Sequence, residues 1–232
     1  MIDKIERLIL EHFCTVPFHN LNLLYGSSQI IAIPGGTCSD KTLAFLSDLR
    51  MMGVKAFLHT ANIGGKEIHR LVRININNQT YFADVGNGWP TLRLLPCNEN
   101  TQFECYGMKY RTEIAKNWIL VFHERQGKES LQLEINITPR PEQEIYSQIK
   151  SRYSSGVNYP FSRSLRFSMI VGKEFLFLRG NRLERYSFND FSVEKLKKAT
   201  IPKIIKKEFG FNVNSYVDFK HELNGYVGNI GN

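Results

Sequence analysis

The sequence contains few cysteines, and they are not spaced as metal ligands. The four cysteines are Cys14, Cys38, Cys97 and Cys105, with no C-x-x-C pair and no histidine at zinc-ligand intervals. A structural zinc site is therefore not expected, and we predict no bound metal. A chain of 232 residues with 42% hydrophobic content can bury a sufficient core without disulfides. This cysteine usage fits a reducing compartment, so we expect a cytoplasmic protein.

Long apolar runs are also missing. The first thirteen residues carry Asp3, Lys4, Glu6 and Arg7 between their apolar residues, which excludes the uninterrupted apolar core of a signal peptide. No run of about 18 apolar residues offers a membrane span. We therefore expect no membrane partner.

Basic residues outnumber acidic ones, giving a net charge of +8 at pH 7. A basic protein can attract nucleic acid. However, the densest basic run, residues 195–207, alternates lysine with leucine and isoleucine, a pattern typical of a solvated helix face. No recognition helix or aromatic RNA-binding signature accompanies the charge. We expect no nucleic acid, whereas a phosphate-rich small molecule such as coenzyme A fits the positive charge.

Helices are predicted first along the chain, then strands, then a mixture. Apolar residues at helical spacing predict a helix that Pro17 ends and a second helix from Cys38 to near Gly53. Segments rich in β-branched and aromatic residues predict strands at 55–61, 67–76, 79–85, 103–114, 115–122 and 131–137. A helix over 141–152, strands over 165–171, 175–179 and 182–188, and a final helix over 193–209 complete the prediction. This order indicates an α+β fold with a central antiparallel sheet or barrel.

One cysteine follows a glycine turn at the predicted start of a helix. The stretch from Ile33 to Asp40 reads IPGGTCSD, and Gly35 and Gly36 permit a sharp entry into the helix. Backbone N–H groups and the helix dipole stabilise a thiolate at such a position. Cys38 alone would be interpreted as a small buried hydrophobe.

His69 and Asp84 make Cys38 a candidate nucleophile. A two-residue loop at Asn77-Asn78 pairs Ile76 with Gln79, which places His69 and Asp84 on one face as diagonal neighbours. A carboxylate that orients an imidazole beside a thiol is the arrangement used in thiol acyl transfer. Separately, either residue would be interpreted as structural, but the three together favour a catalytic site.

The motifs that contain these residues resemble those of the arylamine N-acetyltransferase family. Residues 12–21, HFCTVPFHNL, are similar to the family's H-x-x-x-I-P-F-E-N-L. Residues 35–38, 69–74 and 84–88 are similar to its GG-x-C, H-x-L-L-x-V and D-V-G-F-G motifs, in the same order. The chain is identified as a divergent, shortened member in which residues 10–90 carry most of the resemblance.

The resemblance implies a reaction and a fold. Cys38 would be acetylated by acetyl-CoA, His69 would activate it and Asp84 would orient His69, and an arylamine, hydrazine or N-hydroxyarylamine would then accept the acetyl group in a ping-pong mechanism. The implied fold has an N-terminal helical bundle over 1–54, a central β-barrel over 55–140 and a C-terminal α/β lid over 141–232, around a papain-like core. We expect a monomer or weak homodimer.

Departures from the family motifs concern the substrate sites. Four motif positions hold other residues: the arginine is Pro34, the two glutamates are His19 and Asp40, and the asparagine is Thr42. Asn87 also replaces a phenylalanine between two glycines. We expect Phe18, Asn87 and Trp89 to line the acceptor pocket, with Phe18 and Trp89 supplying apolar surface. Gly64 and Gly65, before the His69 strand, are candidates for binding coenzyme A through their backbone.

Other functions remain open from the sequence. Within the same fold, an amide synthase relative would transfer a larger acyl group from a carrier protein. A thiol hydrolase would release free acid without an amine acceptor. A basic binding module without enzymatic activity would bind nucleic acid independently of Cys38.

Overall fold

The structure is a computed structural model that describes residues 1–25, 33–151, 161 and 164–213. The helices are α1 (Ile2–Thr15), α2 (Leu21–Tyr25), α3 (Cys38–Met51), α4 (Glu142–Lys150) and α5 (Ile201–Ile204). The strands are β1 (Phe18–His19), β2 (Lys55–Ile63), β3 (Lys66–Ile76), β4 (Gln79–Ala83), β5 (Leu95–Pro96), β6 (Gln102–Cys105), β7 (Met108–Ala115), β8 (Trp118–Arg125), β9 (Lys128–Asn136), β10 (Arg166–Val171), β11 (Glu174–Arg179), β12 (Arg182–Tyr186) and β13 (Phe191–Lys195).

Two antiparallel sheets form the β part of the molecule. One has eight strands in the order β5-β4-β3-β2-β9-β8-β7-β6, and the other has five in the order β1-β10-β11-β12-β13. The α+β class is therefore confirmed. The predicted central barrel is a curled half-barrel, because no ladder joins its described edge strands, β5 and β6. The edge strand β5 has only two residues and includes Pro96, which has no N–H for a further strand.

Two predicted strands of the half-barrel have different bounds. The segment 103–114 is a hairpin of β6 and β7, because Tyr106 and Gly107 form a turn with φ of 51° and 66°. The following strand begins at Trp118, since Lys116 also has a positive φ, 55°. Both turns lie between apolar residues, so the hydrophobic pattern alone did not reveal them.

The predicted helix over 193–209 is wrong at its start. Residues Phe191–Lys195 form β13, which pairs with β12 and extends the second sheet. A 3₁₀ turn at Lys198–Thr200 follows, then α5, then a π-helical turn at Ile205–Phe209. Ladder hydrogen bonds to β12 stabilise residues 191–195 as a strand, although the apolar residues of the predicted helix have helical spacing. Proline is tolerated only near the first turn of a helix, so α5 begins just before Pro202.

The segment after α1 links the N-terminal helices to the second sheet. The helix α1 ends at Thr15, before Pro17 as predicted. Phe18 and His19 then form β1 and pair with Ser168 and Phe167 of β10. The side chain of the next residue, Asn20, donates to two carbonyl oxygens, at 2.5 and 2.8 Å, and accepts the Arg166 N–H at 2.7 Å. These bonds fix the chain ahead of the cysteine turn.

The helices α1 and α3 pack on a core that they share with the half-barrel and part of the second sheet. A second apolar cluster lies between the five-stranded sheet and the segment around α5. Within the described ranges, no helix combines the length and the apolar character that crossing a membrane requires.

Candidate active site

The glycine turn before Cys38 has the sharp backbone geometry that the sequence predicts. Gly35 and Gly36 have φ of 90° and 136°, and a Cβ on Gly35 would lie 2.1 Å from the Pro17 carbonyl oxygen. The Thr37 N–H and hydroxyl both donate to the Asp40 carboxylate, at 2.9 and 3.0 Å. Cys38 is therefore the first residue of a 14-residue helix whose N-terminus is tightly fixed.

The hairpin of β3 and β4 positions His69 and Asp84. Asn77 and Asn78 have φ of 49° and 63°, and Ile76 pairs with Gln79, so the predicted two-residue loop is confirmed. The register brings Nε2 of His69 to 2.8 Å from Oδ1 of Asp84. Both side chains are fully enclosed, with exposures of 2% and 0%. The same Asp84 oxygen accepts the Gly86 N–H at 3.1 Å.

The thiol of Cys38 and the imidazole of His69 form a coupled pair. The Cys38 thiol donates to the Ile68 carbonyl at 3.9 Å, and its pKa and that of the His69 imidazole influence each other. Because Nε2 of His69 faces Asp84, Nδ1 is the ring nitrogen that remains for the thiol. Burial alone would raise the pKa of Cys38, but the hydrogen bond and charge of His69, together with Arg70, lower that pKa below its ordinary value. Burial would lower the pKa of His69, yet Asp84 and Cys38 raise it to about 10. These directions favour a thiolate beside an imidazolium.

Gly86 contacts Cys38 directly and was not singled out in the sequence. A Cβ at Gly86 would lie 2.7 Å from Cα and 2.9 Å from Cβ of Cys38. Such distances exclude any side chain at this position unless the helix start moves. Its signal in the sequence is its place as the first glycine of residues 84–88, which resemble the D-V-G-F-G motif. The close approach that it permits depends on the packing of α3 against the hairpin.

Thr42 and Arg70 join α3 to the strand that carries His69. The Thr42 hydroxyl donates to the Arg70 carbonyl at 2.9 Å. The Arg70 guanidinium donates to the His69 carbonyl at 2.9 Å and to the Gln148 side chain at 2.8 Å. The helix that carries the thiol and the strand that carries the imidazole are therefore held together beside the site.

The residues predicted to bind the acceptor lie in different surroundings. The Phe18 ring is 6% exposed and lies 3.2 Å from the Cβ position of Gly88. Asn87 is half-buried, and its Oδ1 accepts from Gln132 at 3.2 Å. Trp89 packs in the main core, with its ring centroid 4.7 Å from that of Phe177. Packing in the core is therefore a sufficient explanation for a tryptophan at position 89. Acceptor binding by Phe18, Asn87 and Trp89 stays a prediction.

The candidate coenzyme A residues, Gly64 and Gly65, form the exposed turn between β2 and β3. Their φ angles of 57° and 73° require a residue that tolerates the left-handed backbone, such as glycine or asparagine. A Cβ on either would meet nothing within 4 Å. The turn accounts for both glycines, and coenzyme A binding there stays a prediction. Within the part of the chain that the structure describes, no group of three or more His, Cys, Asp and Glu side chains could hold a metal ion.

The fold and the motif sequence define the class of protein. A family model described as N-acetyltransferase matches residues 1–217. The chain belongs to the arylamine N-acetyltransferase family. It is 28% identical over 152 residues to the arylamine N-acetyltransferase of Escherichia coli K12, an alignment that spans 56% of this chain and 53% of that relative.

Solved structures share the fold across nearly the whole chain. The crystal structure of a Mycobacterium smegmatis N-arylamine acetyltransferase variant superimposes with a TM-score of 0.79 at 15% identity, covering 96% of this chain and 90% of that one. The Mycobacterium marinum arylamine N-acetyltransferase in complex with CoA gives a TM-score of 0.77 at 15% identity, with coverages of 94% and 90%. The similarity therefore extends well beyond residues 10–90, where the motifs lie.

Proposed function

We propose that this protein transfers an acetyl group from acetyl-CoA to an arylamine, a hydrazine or an N-hydroxyarylamine through a thioester on Cys38. The observation that carries the proposal is the buried Cys38–His69–Asp84 arrangement at the start of α3, in a chain of the arylamine N-acetyltransferase family. His69 is the proton carrier and Asp84 fixes its orientation and charge.

The two half-reactions use the same groups. The Cys38 thiolate attacks the acetyl carbonyl carbon, the bond from that carbon to the coenzyme A sulfur breaks, and the departing sulfur takes the proton from Nδ1 of His69. The acceptor nitrogen then attacks the Cys38 thioester and loses a proton to His69. Cleavage of the carbon–sulfur bond releases the amide and restores the thiolate. Each step exchanges one bond for another and requires no oxidant or metal as a reactant.

Substrate binding and organisation are further parts of the proposal. Phe18 and Asn87 supply one side of the acceptor pocket with Trp89 supporting it, and Gly64 and Gly65 approach coenzyme A. The chain is divided into an N-terminal helical bundle over 1–54, the half-barrel region over 55–140 and a lid over 141–232. We also propose a cytoplasmic location, which four free cysteines support, and a monomer or weak homodimer.

Product analysis distinguishes this function from its alternatives. Purified full chain is incubated with acetyl-CoA, with and without an arylamine, and the products are identified by mass spectrometry. We expect acetylated amine and free coenzyme A in equal amounts, and little acetate when the amine is absent. Acetate released at the same rate without any amine would show a hydrolase instead.

A matched pair of variants assigns the reaction to one thiol. Cys38→Ala should abolish amide formation. Cys97→Ala, which changes a half-buried thiol elsewhere, should retain it. Amide formation that persists in Cys38→Ala would contradict the proposal.

A further inference from the structure

Lys41 is a buried lysine one helical turn after Cys38 that the proposed reaction does not use. Only 1% of its surface is exposed. Positions 38 and 41 are three residues apart in α3 and therefore lie on neighbouring parts of one helix face. Lysine is almost never fully buried unless its charge has partners, so the surroundings of this ammonium require an explanation.

The ammonium group of Lys41 binds the end of α1. Its Nζ donates to the His12 carbonyl oxygen at 3.2 Å and to the Val16 carbonyl oxygen. It also lies 5.1 Å from the centroid of the Phe13 ring. These carbonyls are at the C-terminal end of α1, where the helix dipole favours a positive charge. Lys41 therefore connects the first turns of α3 to the last turn of α1.

Asp84 is the acidic group that attracts Lys41. Its Oδ1 is occupied by His69 and by the Gly86 N–H, whereas its buried Oδ2 accepts no hydrogen bond from any described residue. Burial lowers the pKa of Lys41 to about 7, and the charge of Asp84 opposes that lowering. Lys41 is thus protonated in weakly acidic solution, and the carboxylate whose charge favours that protonated form is the one that binds His69.

The other titratable groups that face Lys41 do not replace its charge. His12 of α1 is hydrogen bonded to Asp48 at 2.7 Å, and burial lowers its pKa. His19 of β1 has its pKa lowered to about 4, again mainly by burial, with Asp40 acting in the opposite direction. Both imidazoles are therefore neutral near pH 7.

We propose that Lys41 is a positioning residue of the Cys38–His69–Asp84 site. Its ammonium holds the start of α3, and with it Sγ of Cys38, against the end of α1, and it supplies a second positive charge for the Asp84 carboxylate. A thiolate, an imidazolium and a carboxylate together carry one net negative charge, which Lys41 balances. This inference rests on the proposed function of Cys38.

The pH dependence of Cys38 alkylation tests the inference without any acetyl donor. Iodoacetamide modification of Cys38 is followed by mass spectrometry between about pH 4 and 8 in the full chain, in Lys41→Met and in Lys55→Met, which changes an exposed lysine. Removal of a nearby cation destabilises the thiolate. We expect the rising limb of Lys41→Met to move up by about one pH unit, which slows alkylation about tenfold at a fixed pH on that limb. Lys55→Met should follow the unchanged protein.

The other outcomes of this experiment distinguish failure of the Lys41 inference from failure of the proposed function. Superimposed profiles for a folded Lys41→Met variant would overturn the inference and leave the proposed function intact. A Cys38 that reacts no faster than Cys14 or Cys97 in the unchanged chain would instead contradict the proposed function. If Lys41→Met does not fold, the double variant Lys41→Met/Asp84→Asn is made. Recovery of folded protein would support the charge balance, and no recovery would overturn it.

Discussion

Activation of Cys38 depends on a few contacts that Gly86 and Asp84 make in the site. The absence of a side chain at Gly86 lets the start of α3 approach the hairpin that carries His69. The carboxylate of Asp84, 2.8 Å from Nε2, raises the pKa of His69. The sequence predicted the thiol, the imidazole and the carboxylate because each lies next to a recognisable local signal. Gly86 and Lys41 could not be predicted in the same way, since their importance arises from contacts between segments that are distant in the chain.

Gly86→Ala should uncouple Cys38 from His69 while the protein remains folded. Its Cβ would meet Cys38 at 2.7 Å, so the start of α3 must shift. We expect alkylation of Cys38 at pH 6 to fall at least about tenfold, as for other displacements of a catalytic group. Gly127→Ala is the control. A Cβ there meets nothing within 4 Å, so the only strain is that of alanine at a positive φ, 72°. Equal Cys38 reactivity in both variants would contradict this account.

Asp84→Asn should preserve the shape of the site and remove its charge. The pKa of His69 should fall, because the carboxylate that raises it is lost, and the thiolate of Cys38 should form only at higher pH. We expect acetyl transfer at neutral pH to drop by about 10²- to 10⁴-fold. Steady-state amide formation measures the loss, and an activity within a factor of two of the unchanged protein would exclude the proposed role of Asp84.

Tight hairpins are the elements that the sequence predicted best. The Asn77-Asn78 loop fixed the register of His69 and Asp84 because asparagine tolerates the left-handed backbone. At Tyr106 and Lys116 a residue other than asparagine or glycine takes the first left-handed position, and these turns displaced the predicted strand bounds. The strand β13 was predicted as helix because its pairing with β12 is a long-range interaction.

The turn between β8 and β9 offers a test of this hairpin geometry away from the site. Gln126 has φ of 52° and precedes Gly127, with φ of 72°. Gln126→Asn creates the Asn-Gly pair that suits this turn and should raise the free energy of unfolding by up to about 0.5 kcal/mol. Gln126→Val should lower it, because a β-branched side chain tolerates a positive φ less well than glutamine does. Denaturant unfolding measures both changes, and the reverse order of stabilities would refute the turn assignment.

At the scale of the whole molecule, buried histidines link stability to pH. The pKa of His19 is lowered to about 4 and that of His123 to about 3, mainly by burial in each case. In the unfolded chain these imidazoles bind protons below about pH 6.5. The unfolded state therefore binds more protons as pH falls, and the free energy of unfolding should decrease from about pH 6.5 toward pH 4.

His123→Phe should make this decrease shallower. The His123 ring stacks on Tyr110 with centroids 4.5 Å apart, an arrangement that phenylalanine can keep, and its Nε2 has no hydrogen-bond partner among the described residues. Removing one titrating group should recover about 2–3 kcal/mol of the stability lost at about pH 4.5. Denaturant titrations at about pH 7 and 4.5 provide the comparison. If the free energy of unfolding decreases equally between these pH values in His123→Phe and in the unchanged protein, His123 does not contribute.

The central claim is that Cys38 carries the acetyl group between donor and acceptor. It is tested most directly by a single-turnover experiment, in which the full chain is mixed with one equivalent of acetyl-CoA, separated from coenzyme A and then given an arylamine. The account predicts one acetyl group on Cys38, located by peptide mass spectrometry, which the amine removes as acetylated product. An acetyl group on another residue, or amide formation without any acetylated protein, would contradict it.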